Sequence, residues 1–293
     1  MGQSGGAADE SLDAILAPGL YVTATPIGNA SDLTLRALRV LRYCDAIIAE
    51  DTRVTSRLLA IHAISRPLLT YNDHNAPGMR PKLLARLKAG EVLALVSDAG
   101  TPLISDPGHK LVMAAVEEGV SVYPVPGVSA AVAALSVAGL PTDRFFFAGF
   151  LSSKRGERRT SLAALKSVPA TLVFYESPGR IGEALADMAE ILGPRPAAVA
   201  RELTKLHEEI RRLPLPELAA SYAGPAPKGE ITVVVGPPPD AEPDMAKADS
   251  LLRAALGFMP VNAAASLVAE ATGIGRKQVY TLALALKKSD GEK

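Results

Sequence analysis

The sequence is poor in several residue types that mark particular classes of protein. It contains no tryptophan, a single cysteine at Cys44 and only 4% aromatic residues. One thiol forms neither an intramolecular disulfide nor a cysteine-based zinc site, so we expect a reducing, cytoplasmic setting. The four histidines lack metal-ligand spacing and no run of about 18 apolar residues occurs, so we predict no metal site and no membrane span. The G-x-G-x-x-G and Walker A motifs are also absent.

The charged residues are present in equal numbers, with 31 lysines and arginines against 31 aspartates and glutamates. A neutral chain is not typical of proteins that coat nucleic acid non-specifically, although a local basic patch is compatible with it. Hydrophobic residues make up 48% of the chain and charged residues 21%, which favours a sizeable core. A length of 293 residues fits two domains better than one.

Short β-rich runs alternate with amphipathic segments, a pattern that predicts an α/β protein with a mostly parallel sheet. Ser31 or Asp32 is expected to begin a helix that runs through Leu41, and Pro81 another that ends before Gly90. The composition becomes aromatic and then basic after residue 140, which indicates a domain boundary. We predict a disordered tail at 1–18, an N-terminal α/β domain at 19–139, a second α/β domain at 140–239 and a helical segment at 240–293.

The most informative stretch is Ser97–Gly108, SDAGTPLISDPG, which continues a predicted strand. Its glycines permit close approach of the backbone to a ligand, and Asp98 is placed to accept hydrogen bonds from an amino group or from ribose hydroxyls. A turn whose aspartates bond their own backbone explains the same residues equally well. Similarly, Gly127 and Ser129 at a helix start would either offer N–H groups to a carboxylate or form a plain Pro–Gly turn with a serine cap.

Further motifs follow one another along most of the chain. They are TPIGN (25–29), EDTRVTSRLL (50–59), HN (74–75), PVPGVSA (124–130), GLPTDRFFFAGFL (139–151), FYESP (174–178) followed by Arg180, ARELTKLHEE (200–209) and KGE (228–230). Together with SDAGTPLISDPG, this ordered set resembles the bacterial 16S rRNA cytidine 2′-O-methyltransferase family of the tetrapyrrole methylase superfamily, from about Leu20 to Lys288. Gly179 stands where the family usually has histidine and Ala76 where it has glutamate, so we assign no catalysis to either.

The resemblance implies an α/β, two-domain tetrapyrrole-methylase-like fold with a small C-terminal helical segment. It further implies an S-adenosyl-L-methionine donor held in the cleft between the two domains, a homodimer, and 16S rRNA as the substrate, which we expect to be presented within the 30S ribosomal subunit. The residues implied to line the donor pocket are Pro26, Asp98, Gly100, Thr101, Ser129, Ala130, Tyr175, Leu203 and Thr232.

Methyl transfer to a ribose hydroxyl needs in-line positioning and the removal of a weakly acidic proton. A carboxylate, or a lysine of lowered pKa, near a strand end would serve as the base. The unranked candidates are Asp51, Glu176, Glu202 and Lys205. From the residues alone, a solvated helix start explains the run from Glu50 to Arg53 better than a catalytic role does, and the family pattern reverses that preference.

Three basic groups are candidates for contact with RNA phosphates. Arg53 follows a predicted strand, a second group lies in a predicted glycine-containing loop, and a third lies in a C-terminal pattern of helix, glycine turn and helix. The second and third groups are Lys154, Arg155, Arg158 and Arg159, and Arg276 and Lys277. A solvated loop for the second group, and a small helical cap that stabilises a dimer for the third, are equally good interpretations.

Three functions are therefore in competition. The first is 2′-O-methylation of a cytidine ribose in the decoding region of 16S rRNA, favoured by the EDTR and SDAGTP motifs and by the basic C-terminal segment. The second, on the same fold, is C-methylation of a tetrapyrrole such as a porphyrin or corrin. The third is a non-catalytic helix-turn-helix regulator with a ligand-sensing α/β core, which would bind DNA and transfer no methyl group.

Overall fold

The computed structural model describes residues 16–105, 108–239 and 245–290. Most of the predicted tail at 1–18 lies outside these ranges, as do Asp106 and Pro107 of the SDAGTPLISDPG motif. The end of the predicted tail is ordered, because Leu16 packs against the core and the Tyr21 hydroxyl donates to the Ala17 carbonyl at 2.9 Å. The chain divides into two compact units on either side of the bond between Pro237 and Pro238.

The first unit contains two sheets, and the first of these is entirely parallel over its described strands. Its strands are β1 Gly19–Thr23, β2 Ala46–Ala49, β3 Leu68–Thr70, β4 Val92–Leu95 and β5 Val122–Val125, in the spatial order β3-β2-β4-β1-β5. The helices between and after them are α1 Leu35–Tyr43, α2 Thr52–Ile61, α3 Ala76–Lys88, α4 His109–Glu117 and α5 Ala130–Ala138. Every residue of β2 and β4 is buried, as expected for strands covered on both faces by helices.

Two predicted helix starts are wrong. Thr34 caps α1, because its side chain accepts the Ala37 N–H at 3.1 Å, whereas Ser31 and Asp32 lie in a short 3₁₀ turn before it. Pro81 lies inside α3, which begins five residues earlier with Pro77 in its first turn. A proline is tolerated in the first turn because no intrahelical partner is lost there, so the earlier of the two prolines marks the start.

The second sheet is mostly antiparallel, which the alternation of predicted strands and helices did not indicate. Its strands are β6 Phe145–Phe150, β7 Thr171–Glu176, β8 Pro196–Arg201, β9 Glu209–Pro214 and β10 Ile231–Val235, in the order β6-β7-β10-β8-β9. Only β6 and β7 pair in parallel. The helices of this part are α6 Arg155–Leu165, α7 Ile181–Leu192 and α8 Leu215–Ser221.

Helix α6 replaces the loop that the basic run predicted. Arg158 and Leu162, one helical turn apart, are both buried, and α6 packs against α7. The basic run therefore begins an amphipathic helix, in which Arg155 is exposed and Arg158 lies on the buried face.

The small-residue helix α5 joins the two halves of the first unit. Ala131, Ala134, Leu135 and Ala138 pack against β7, β8 and β10 of the second sheet, while the helix itself follows β5 of the first. Short alanine side chains let the helix lie close to that sheet. The start of α5 is consequently held beside the ends of the second sheet's strands.

The second unit consists of three helices with a core of their own. They are α9 Met245–Leu256, α10 Val261–Thr272 and α11 Arg276–Asp290. Ala264, Val268 and Val279 are among its buried residues, and Gly273, at φ +71°, ends α10 before the turn into α11. Among the helices described in either unit, none is long and apolar enough to cross a membrane.

Candidate active site

A cleft of about 430 Å³ lies within the first unit, where loops of the first sheet meet strand ends of the second. The end of β7, the end of β8 and the start of β10 contribute together because their antiparallel pairing aligns Ile231 with Glu176 and with Arg201. The residues predicted to hold the donor line this cleft, apart from Pro26: they are Asp98, Gly100, Thr101, Ser129, Ala130, Tyr175, Leu203 and Thr232. Pro26 borders an adjoining cavity.

The loop after β4 is held against the loops after β1 and β5. Thr25 and Gly100 exchange backbone hydrogen bonds of 2.8 and 3.1 Å, and the Thr101 hydroxyl donates to the Val128 carbonyl at 3.0 Å. Gly100 has φ +80°, a conformation that an L side chain rarely adopts. These contacts bring three strand-end loops into one wall of the cleft.

Asp98 links this wall to the start of α2. Its Oδ1 accepts the backbone N–H of Asp51 at 3.1 Å, so the carboxylate bonds a neighbouring loop rather than its own turn. Asp98 is exposed and lines both the cleft and the adjoining cavity. A carboxylate fixed at the mouth of a ligand-sized cleft is suited to bind an amino group or ribose hydroxyls.

The start of α5 forms a second polar wall. Ser129 is the N-cap but its side chain makes no capping hydrogen bond, which leaves N–H groups of the first turn for another acceptor. The Ala131 N–H donates to the Tyr175 hydroxyl at 3.3 Å. The Tyr175 ring in turn meets Phe147 and Phe150 edge-on, at centroid distances of 4.9 and 5.5 Å.

Asp51 serves as a helix cap in this structure. It caps α2 by accepting the Arg53 N–H at 2.9 Å, and it also accepts the Arg53 guanidinium at 3.0 Å. Hydrogen bonding by the Arg53 side chain and backbone lowers the pKa of Asp51 to about 2. Asp51 is thus a poor proton acceptor, and Arg53 reaches solvent with its charge already paired.

Glu176 lines the cleft but is buried and engaged. Its Oε1 accepts the Ser177 N–H at 2.7 Å and the Arg180 Nε–H at 2.8 Å. The carboxylate therefore holds the turn between β7 and α7. Gly179 lies in the same turn, and a Cβ added to it would meet no atom within 4 Å. The space that the family's histidine would enter is therefore open. Ala76, the other departure from the family pattern, is buried at the start of α3.

Glu202 and Lys205 belong to one cluster with Glu230. The Lys205 ammonium donates to Glu202 Oε1 at 2.8 Å and to Glu230 Oε2 at 2.7 Å. Burial lowers the pKa of Lys205, but these two hydrogen bonds outweigh it and hold the pKa above its ordinary value. Lys205 is therefore a cation, which corrects the prediction of a lysine base of lowered pKa. Hydrogen bonds from the Lys205 ammonium and from the Glu230 N–H lower the pKa of Glu202.

The predicted RNA-binding cluster on α6 is mostly engaged within the protein. Arg158 is only 2% exposed and pairs with Asp187 at 2.8 Å, so its prediction as an RNA contact is wrong. Arg159 bonds Asp187 and Glu190, and Lys154 pairs with Glu157. Arg155 pairs with Asp187 at 3.4 Å but stays largely exposed. The sign of a residue's charge in the sequence does not show whether an acid on another helix already neutralises it.

In the second unit, the start of α11 carries the remaining predicted RNA contacts. Arg276 donates to the Ser266 hydroxyl at 3.0 Å, and both Arg276 and Lys277 are exposed. Their accessibility is compatible with phosphate contact.

The prediction of site residues from the sequence missed two acids that line the cleft, Glu50 and Glu230. Both lie in motifs that the sequence displays, EDTR and KGE. Glu230 immediately precedes β10, which enters the site at its start because its partners run in the opposite direction. A residue just before a strand reaches the edge that carries the cleft only if that strand is antiparallel to its neighbours. The predicted parallel sheet therefore did not suggest Glu230.

Residues 19–219 match the family model described as Tetrapyrrole (Corrin/Porphyrin) Methylases, and residues 242–287 match the RsmI C-terminal HTH domain. The chain is 50% identical over 279 residues to ribosomal RNA small subunit methyltransferase I of Mesorhizobium japonicum, covering 94% of this chain and 95% of that protein. It is 51% identical over 272 residues to the protein of that name from Erythrobacter litoralis, covering 93% and 96%.

Solved structures similar to this one include diphthine synthase, with a TM-score of 0.59 at 17% identity over 74% of this chain and 89% of that chain. Uroporphyrin-III C-methyltransferase from Thermus thermophilus, complexed with S-adenyl homocysteine, gives 0.53 at 23% identity over 74% and 96%. At such identities the likeness shows the fold alone, and it confirms the predicted fold class.

Proposed function

Because the chain belongs to the tetrapyrrole methylase family, and within it to the ribosomal RNA small subunit methyltransferases I, we propose that it methylates 16S rRNA with S-adenosylmethionine as donor. Its target in this proposal is the ribose 2′-hydroxyl of a cytidine in the decoding region, reached in the 30S subunit. The observation that carries the proposal is the cleft in which Asp98, the Gly100 loop and the start of α5 converge.

The chemistry of the cleft suits this donor. Its volume of about 430 Å³ lies within the usual range for small-molecule sites, about 300–1,000 Å³. Ile27, Leu203 and Ile231 supply apolar surface for an adenine, Asp98 an acceptor for an amino group or ribose hydroxyls, and the start of α5 N–H groups for a carboxylate. Gly100, at φ +80°, lets the loop pass close to Ile27, because a Cβ there would stand 3.3 Å from the Ile27 side chain.

When bound, S-adenosylmethionine supplies an electrophilic methyl group on a sulfonium. The chain's own contribution is to hold the two reactants in line and to accept a proton. Positioning alone accounts for a large part of such acceleration, about 7–11 kcal/mol in well-oriented systems. The loops after β1, β4 and β5, tied together through Thr25, Gly100 and Thr101, form the rigid frame for it.

The RNA contacts in this proposal come from exposed cations. Arg53 and Arg155 on the first unit, and Arg276 and Lys277 on the second, reach solvent. They would bind the rRNA backbone without reading its sequence, as phosphate contacts generally do. A ribosomal substrate makes the cytoplasm the expected place of action.

A homodimer is part of the same proposal. The edge strand β6 exposes Phe145, Phe146 and Phe150, three large apolar side chains that a second copy of the chain would cover. Phe150 also lines the cleft, so this interface would lie beside the donor. Sedimentation of the wild type against Phe145→Ser tests it: a dimer that dissociates in the variant supports the interface, and a wild-type monomer contradicts it.

The test of the function is methyl transfer from labelled donor to 30S subunits that lack the modification, followed by mass-spectrometric mapping of ribose methylation. We expect a single 2′-O-methylcytidine in the decoding region. Asp98→Ala should bind donor at least tenfold more weakly in calorimetry, because it loses a fixed, charge-assisted acceptor. Labelling of uroporphyrinogen but not of 30S subunits would contradict the proposal. Label in 30S RNA at a position other than a ribose 2′-hydroxyl would also contradict it.

A further inference from the structure

A second cavity, of about 280 Å³, adjoins the proposed donor cleft. Ile27, Asp98, Ala99 and Glu230 line both spaces. Methyl transfer requires the acceptor oxygen to contact the donor carbon, so an acceptor must reach the donor at a wall that the two sites share. The second cavity meets this geometric requirement.

The walls of the second cavity have two chemically different sides. Leu58 and Ile61 of α2 supply apolar surface against which a base can lie. Lys205 and Glu230 form the polar side, where they supply a cation and a carboxylate for hydroxyl groups. An apolar face with a few fixed polar groups is the usual composition of a site for a flat polar ligand such as a nucleoside.

The cation of this cavity is held from two sides. Lys205 donates to Glu202 at 2.8 Å and to Glu230 at 2.7 Å, and Glu202 also accepts the Glu230 N–H at 2.9 Å. Glu202 is the less exposed of the two acids, whereas the Glu230 side chain is 73% exposed. Glu202 therefore anchors the ammonium, and Glu230 presents its carboxylate to the cavity.

The backbone around this cluster adopts costly conformations. Glu202 has φ +52° and Thr204 φ +67°, although neither is a glycine. A Cβ on Gly229, at φ +93°, would stand 2.3 Å from the Glu202 side chain, and one on Gly28 would stand 2.4 Å from the Lys205 stem. Strained backbone conformations of this kind are concentrated at functional sites. The strain here serves to place three charged groups.

We propose that the second cavity receives the acceptor nucleoside of an RNA and that Glu230 takes the proton from its ribose hydroxyl. This inference rests on the proposed function and names the acceptor site and the base of that reaction. Lys205 is a positioning residue, which fixes the Glu230 carboxylate through its ammonium. Glu202 fixes Lys205.

The other acids and the lysine are less suited to this role. Of the residues that line both spaces, only Asp98 and Glu230 carry an acid. The proposed function assigns Asp98 to the donor, so Glu230 is the acid that remains for the acceptor. The raised pKa of Lys205 keeps it protonated, and Arg53 holds the pKa of Asp51 at about 2. Glu176 is buried beneath its bonds to Ser177 and Arg180.

The ribose oxygen forms a bond to the methyl carbon while the bond between that carbon and the donor sulfur breaks, and the electron pair of the broken bond stays on sulfur as a neutral thioether. The hydroxyl proton passes to the Glu230 carboxylate, which becomes a carboxylic acid and later releases the proton to water. No oxidant, reductant or further reactant is needed.

Glu230→Gln keeps the size of the side chain and removes its basicity. Single-turnover methylation of 30S subunits by this variant should be slower by about 10²–10⁴-fold, the usual contribution of a general base. Donor affinity in calorimetry should stay within about threefold. Glu183→Gln is the matched control, because Glu183 is 75% exposed and pairs with Arg158 but lines neither space.

Leu58→Trp tests the cavity separately from the base. A larger side chain there should raise the KM for 30S subunits at least tenfold and leave donor affinity unchanged. An unchanged KM overturns the acceptor site, and a Glu230→Gln rate within threefold of the wild type overturns the assignment of the base. If the wild type methylates no 2′-hydroxyl of 30S RNA, both the proposed function and this inference are wrong. If the wild type is active and only the variants behave otherwise than expected, the inference alone is wrong.

Discussion

Asp187 on α7 is the centre of an ion-pair network whose loss should be costly. Its carboxylate accepts Arg158 Nε at 2.8 Å, Arg159 at 3.0 Å and Arg155 at 3.4 Å. Asp187 is 3% exposed and Arg158 2%. Asp187→Asn leaves the Arg158 guanidinium buried beside a neutral amide, with the largely exposed Glu183 still bonded to it at 3.3 Å. Removing the buried partner of such a pair costs about 3–5 kcal/mol.

The cost of Asp187→Asn is measured by urea unfolding followed by far-UV circular dichroism, which suits a chain without tryptophan. We expect the loss of about 3–5 kcal/mol to lower the midpoint of thermal unfolding by about 2–4 °C per kcal/mol. Arg155→Ala is the matched control: its side chain is 71% exposed, so removal of its pair with Asp187 should cost no more than about 1 kcal/mol.

The network also predicts a pH dependence. Burial raises the pKa of Asp187, but hydrogen bonds from Arg158 and Arg159 outweigh it and hold the pKa below its ordinary value of 3.8. Its contribution to stability is therefore present above pH 3.8 and is lost as the pH falls through the lower pKa of the folded state. An Asp187→Asn variant as stable as the wild type at pH 7, within about 0.5 kcal/mol, would refute the buried-pair argument.

Three further predictions concern single side chains. Burial raises the pKa of the Cys44 thiol to about 11, so a thiol reagent at pH 8 should label it only after denaturation, and rapid labelling of the native protein would contradict its burial. Tyr175→Phe should weaken donor binding in calorimetry by less than about tenfold, since one neutral hydrogen bond contributes about 0.5–1.5 kcal/mol. Tyr175→Ala, which also removes the ring, should weaken donor binding more. Equal donor affinities in the two variants would show that the ring is not part of the site. Gly229→Ala forces a methyl group against Glu202 and should slow methylation at least tenfold without unfolding the protein, whereas a wild-type rate would show that the loop relaxes harmlessly.

Local signals in the sequence anticipated much of the cleft in which we propose that the donor binds. Glycines, prolines and aspartates gathered in SDAGTP and PGVSA mark loops after strands, because these residues satisfy turn geometry within a few residues of themselves. The structure places Asp98, Gly100 and Ser129 together for that reason, at strand ends of one parallel sheet. The division at residue 140 stays a prediction, although one sheet precedes that position and the other follows it.

Helix starts were less predictable, because they depend on which of several neighbouring caps is used. Ser31, Asp32 and Thr34 all have side chains that cap helices, and Thr34 alone meets the N–H group of Ala37 in α1. At α3, Pro77 and Pro81 both permit a helix start, and the turn before Ala76 selects the earlier one. A capping side chain contributes about 1 kcal/mol, a difference that composition does not reveal.

The sequence by itself determined the family, the α/β class and the loops that line the cleft, since these depend on motifs whose residues act within their own segment. Tertiary structure alone decided that the second sheet is mostly antiparallel, that Arg158 is buried against Asp187, and that Glu230 meets Lys205 and Glu202. Each of these facts depends on segments separated in the chain that come together only on folding. Burial and ion pairing between such segments decide whether a charged side chain is a structural partner, a contact for RNA or a base.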